Sequence, residues 1–130
     1  MLKALTLLSV LVAGQAPGPV AEKVDVCEVA TSGARFAGHF LELTGTILGK
    51  DMEHLLLTSS DCALGVKLTF APEVRQHDDV LILSAAIKRN AGTPGRAVTG
   101  TLEGTYVYAD DHSAVGLGVT GIDHLNFPKK

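Results

Sequence analysis

A chain of 130 residues that is 46% hydrophobic and 19% charged can bury one ordinary core, which excludes a disordered or fibrous protein and leaves room for a single domain. Its formal net charge is −3 at pH 7, and its basic residues are scattered except for Lys88-Arg89 and Lys129-Lys130. Nucleic-acid binding draws on clustered Lys and Arg, so nucleic acid is not an expected partner.

Met1 to Ala16 reads as a cleaved signal peptide. One basic residue, Lys3, precedes the apolar run Ala4 to Ala13, and Gly14-Gln15-Ala16 places small residues where a signal peptidase cuts. The run is shorter than the about 20 residues a membrane-spanning helix needs, so no stable membrane insertion is expected once the leader is gone. Cleavage removes Lys3 and no acid, which moves the formal charge from −3 to −4. The expected location is secreted or periplasmic. Residues 17–24, with Pro17 and Pro19, read as a flexible spacer, and residues 25–130 as the domain. In an oxidising compartment the two cysteines, Cys27 and Cys62, are expected to form a disulfide. By the loop-entropy argument such a bridge is worth about 3 to 4 kcal/mol.

Asp25-Val26-Cys27-Glu28 has the form of a capping box and predicts a helix from Val26 to Ser32, ended by Gly33. The first strand runs from His39 to Leu48. Leu41, Leu43 and Ile47 point one way and Glu42, Thr44 and Thr46 the other, while Gly45 interrupts the apolar file and marks a bend. After the turn Gly49-Lys50-Asp51, a second strand, His54 to Thr58, turns Leu55 and Leu57 inward. A third, Gly65 to Phe70, turns Val66, Leu68 and Phe70 inward. Pro72 stops it. Asp78-Asp79 then supplies two N-cap acceptors for a helix over Val80 to Arg89, with Val80, Leu83, Ala86 and Ile87 on one face.

Asn90 to Gly95 is a turn, and Arg96 to Tyr108 a long fourth strand that repeats the Thr-Gly-Thr core around Gly100. Asp110 to Ser113 is the next turn. The fifth strand is expected to turn Val115, Leu117 and Val119 inward and to carry a bulge at Gly121 before Ile122 and Leu125. Helix, three strands, helix, two strands gives a mainly β fold: a five-stranded OB-like Greek-key barrel with an N-terminal helix and a helix between strands three and four. Val26-Cys27-Glu28-Val29, followed by Gly38, Leu41 to Gly45 and Ser60-Asp61-Cys62, also resembles a group of small exported bacterial OB-like proteins of unassigned function. The resemblance implies a fold and assigns no active-site residue.

The chemistry-bearing residues form no recognisable motif. His39, His54, His77, His112 and His124 are not spaced as metal ligands, so no metal or other cofactor is expected. Ser59 and Ser60 lie outside any Gly-x-Ser-x-Gly elbow. Gly116-Leu117-Gly118-Val119-Thr120-Gly121 has half of a dinucleotide fingerprint but no helix after it, and its glycines read as serving strand curvature. Binding remains, to a small molecule, glycan or protein. OB-folds bind on the outer face of strands two and three and on nearby loops, which here would present His54, Lys67, Thr69, Tyr106, Tyr108 and His112. The expected role is a non-enzymatic binding or structural module. The alternative is a small hydrolase whose His and Asp residues come together only in the fold.

Overall fold

The computed structural model describes residues 20–108 and 114–127. The elements in order are β1 (Glu22–Lys23), α1 (Val26–Thr31), β2 (Phe40–Leu48), β3 (Leu55–Thr58), β4 (Gly65–Phe70), α2 (Asp78–Lys88), β5 (Val98–Tyr108) and β6 (Ala114–Asn126), with 3₁₀ turns at Gly33–Phe36 and Val74–Gln76. The leader, residues 1–16, the start of the spacer and the turn Asp110 to Ser113 lie outside the described residues. No described helix is long and apolar enough to cross a membrane.

Five strands close on themselves. β2 pairs with β3, β3 with β4, β4 with β6, β6 with β5 and β5 with β2, all antiparallel except β4 with β6. Alternation explains what fills the interior. Leu41, Leu43, Ile47, Leu55, Leu57, Leu68, Leu102 and Leu117 are each no more than 1% exposed, while Glu42, Thr44, Leu56 and Lys67 turn outward. The N-terminal half of β2 has no partner in β3, whose pairing begins at Thr46. β1 fills that edge by parallel pairing of Glu22 with Leu41 and Lys23 with Glu42, so the second half of the expected spacer is strand.

A helix covers part of the core at each of two places. α1 buries Val26 and Val29, and the Cys27–Cys62 disulfide, Cα–Cα 5.8 Å, ties it to the loop between β3 and β4. Only half of the expected capping box forms. Asp25 Oδ1 accepts from the Cys27 N–H at 3.2 Å, but Glu28 turns to Arg35 at 2.9 Å, a stronger charged partner than a backbone amide. α2 buries Val80, Leu83 and Ile87. Its N-cap is His77 rather than an aspartate, and Asp79 acts within the first turn. Asp79 Oδ1 accepts from Val80 N–H at 2.7 Å and Oδ2 from Ile122 N–H at 3.0 Å, which fastens α2 to β6. The helix ends in a Schellman motif, with Asn90 left-handed at φ 68° and N–H bonds from Asn90 to Ile87 O and from Ala91 to Ala86 O.

β6 slips register three times against β5. One slip falls between Glu103/Gly121 and Gly104/Val119, leaving Thr120 as the extra residue, beside the bulge expected at Gly121. Another lies between Val107/Gly116 and Tyr108/Ala114. Val115 is the unpaired residue there and is 43% exposed, which corrects its expected inward position. A bulge adds one residue to the count, so the alternation that places Leu117 and Val119 inside does not reach back to Val115.

Candidate binding face

Strands that turn leucines inward turn their other neighbours to the outer surface. On β4 these are Lys67 and Thr69, and on β5 Thr105 and Val107. β6 runs between them, and its residues at this level are Gly118, the register partner of both Thr69 and Thr105, and Gly116, the partner of Val107. Gly116 is buried, and a Cβ placed on it would meet the Lys67 carbonyl, so the Lys67 backbone closes over this position. One on Gly118 would lie 3.5 Å from Thr105 O and 3.9 Å from Thr69 Oγ1. At Gly118 the side chains of Thr69 and Thr105 thus flank a position that has none. The result is a shallow trough over β6 at Gly118, with Lys67 on the neighbouring strand beside it. Leu56 (the register partner of Lys67), Val107 and Val115 are each more than 40% exposed and give it an apolar border.

Of the six residues expected to bind, the fold brings Lys67 and Thr69 to this trough. The Thr69 hydroxyl donates to Leu117 O at 3.3 Å, which holds its methyl and oxygen in place beside Gly118. His54 precedes β3 and is held in the β2–β3 turn, its Nδ1 2.8 Å from Asp51 Oδ1, and this hydrogen bond holds the Asp51 carboxyl below its ordinary value. Tyr106 and Tyr108 do share a face, as expected, but it is the inner one. Tyr106 is 3% exposed, and the two rings stack at 6.5 Å and 28° beneath the Gly33–Phe36 turn. A Cβ on Gly33 would come within 2.7 Å of the Tyr106 hydroxyl. The pair therefore closes the core under this turn, and burial, with Tyr108 adding to it, raises the Tyr106 hydroxyl above its ordinary value. His112 lies outside the described residues. Thr105 and Gly118 also border the trough and were not among the six. The sequence signal for Gly118 was the Gly-x-Gly pattern, which reads as strand curvature, and Thr105 carries none.

The described histidines stay apart. His39 pairs with Glu22 at 3.3 Å, His54 with Asp51, and His124 with Asp123 at 3.6 Å, all three pairs exposed. Among the described residues no group of three or more His, Cys, Asp or Glu is placed to hold a metal ion. A second depression, of about 350 Å³, is acidic: Glu42 and Glu103 are register partners across β2 and β5, with Asp123 nearby and Lys23 3.9 Å from Glu42. Compared with protein-family profiles and with curated proteins, the chain matches none.

Proposed function

We propose that the chain is an exported, disulfide-tied OB-like module that binds a small molecule, glycan or protein along the β6 trough, without chemistry of its own. The side-chain gap at Gly118, between Thr69 and Thr105 and beside Lys67, carries the proposal, because it leaves room for a group of a partner to seat against the sheet. The OB-like Greek-key reading is supported by the parallel closure of β4 on β6, with α2 inside the connection from β4 to β5. In such barrels the binding face begins on the two strands corresponding to β3 and β4, where Leu56, Lys67 and Thr69 lie. Export is supported by the disulfide, which persists in oxidising compartments. A binding role is favoured over hydrolysis by the separate, exposed settings of the described histidines. Lys67 beside the trough also fits a neutral or weakly anionic partner.

Gly118→Val tests this directly, since a Cβ at Gly118 makes only ordinary contacts and the variant should keep the barrel's stability. Native mass spectrometry of the exported protein should find a bound species in the parent and none in Gly118→Val. Retention of that species by a stably folded Gly118→Val would overturn the trough. Ester or glycoside hydrolysis lost on substituting one histidine would overturn the non-enzymatic reading.

A further inference from the structure

A second site is built where α2 meets the end of β6. Ile82, Ala85 and Ala86 of α2, Ala91 of the Schellman turn and Phe127 after β6 enclose a groove of about 460 Å³. Ile82 is 54% exposed and Phe127 39% exposed, so large apolar side chains stand open to solvent at this place rather than closing over it. Arg89 and Arg96 line the same groove. The Arg96 guanidinium donates to Arg89 O at 3.0 Å, which brings one cationic side chain to the foot of the other. Among the described residues neither has a carboxylate within salt-bridge distance, although acids outnumber bases 14 to 11 in the chain.

We propose that this groove binds a small amphipathic anion: an apolar chain or ring carrying one carboxylate. An apolar lining with a few placed polar groups, in a space between about 300 and 1,000 Å³, is the usual form of a small-molecule site. Here the aliphatic body lies over Ile82, Ala85, Ala91 and Phe127, and the carboxylate meets guanidinium donors whose fork geometry suits it. The size argues against a protein partner, because the handful of lining residues is far short of the roughly 20 to 30 per side of a stable protein interface. At about 30 Å³ per water of the liquid the groove has room for on the order of fifteen waters, space enough for a ligand the size of decanoate. The site shares no residue with the β6 trough and stands or falls apart from it.

The probe is decanoate, titrated into the full exported protein labelled for heteronuclear NMR. A Kd of about 0.1 to 1 mM is expected for a ligand of this size in an open groove, with shifts confined to Ile82, Ala85, Ala86, Ala91 and Phe127 and to the two arginines. Arg89→Gln should weaken decanoate about tenfold and leave decanol unchanged. Ala85→Trp, at an exposed helix position, should fill the groove and abolish binding of both. The proposal is overturned if decanoate and decyltrimethylammonium bind alike, if Ala85→Trp leaves decanoate binding intact, or if no shifts appear by millimolar concentration. Concentration-dependent shifts of these residues without ligand would instead place a second copy of the chain in the groove, and would equally overturn it.

Discussion

Gly45 and Gly100 face each other across β2 and β5, yet they should respond differently to a methyl group. An alanine Cβ at Gly45 would collide with the Thr58 carbonyl oxygen and lie 3.3 Å from Leu57 Cδ1. The obstacle is backbone in the β2–β3 ladder, where Thr46 pairs with Thr58 and the Thr58 hydroxyl donates to Thr46 O. Relief requires β3 to move away from β2. Overpacking of this kind costs about 1 to 3 kcal/mol, and one or two weakened ladder bonds add about 0.5 to 1.5 kcal/mol each. The loss of backbone freedom in the unfolded chain returns about 0.4 to 1 kcal/mol. Gly45→Ala should therefore destabilise by about 2 to 3 kcal/mol, a fall in Tm of about 8 to 20 °C for a domain of this size. At Gly100 the nearest atom is Leu125 Cδ2 at 3.0 Å, the end of a side chain that can rotate away. There the steric cost and the entropic return nearly cancel, and Gly100→Ala should lie within about 0.5 kcal/mol of the parent. Urea denaturation of the oxidised proteins, followed by far-ultraviolet circular dichroism, measures both. A Gly45→Ala protein as stable as the parent, or a Gly100→Ala protein less stable than Gly45→Ala, would refute the steric difference between the two positions.

Three further outcomes are expected. The denatured, unreduced exported protein should titrate no free thiol, and Cys27→Ser with Cys62→Ser should cost about 2 to 4 kcal/mol while the sheet's circular dichroism persists, because the bridge closes a span of 35 residues and anchors α1. Asp79→Ala frees the N–H groups of Val80 and Ile122 together and should lower stability by about 1 to 3 kcal/mol in the same urea assay, with Asp79→Asn recovering part of it. The folded state holds the Tyr106 proton above its ordinary value, so this group's contribution to stability is complete below about pH 10 and declines as the pH rises beyond it. Tyrosinate absorbance, read in a chain with two tyrosines and no tryptophan, should show one late ionisation that Tyr106→Phe removes.

The direction of a side chain on a strand is a local property of the backbone, which is why the inward sets Leu41/Leu43/Ile47, Leu55/Leu57 and Val66/Leu68/Phe70 could be read from the amino-acid order alone. The span of β4 followed from Pro72, and helical spacing gave the buried face of α2 although the helix starts two residues earlier than the paired aspartates implied. The partner of Cys27 followed from there being one other thiol. What the order of residues could not determine is any property counted across the barrel. Tyr106 and Tyr108 alternate correctly, but whether their face is inner or outer depends on the register of β5 against β2 and β6, and that register puts them in the core. Val115 moved outward because a bulge changed the count, and Glu22–Lys23 became strand because half of β2 lacked a neighbour on that edge. The candidate sites are decided at the same level. The gap at Gly118 exists only because Thr69 of β4 and Thr105 of β5 stand on either side of it. The α2 groove exists only because the fold carries Phe127 to Ile82 and Arg96 to Arg89, and its lining comes from segments that no local pattern connects.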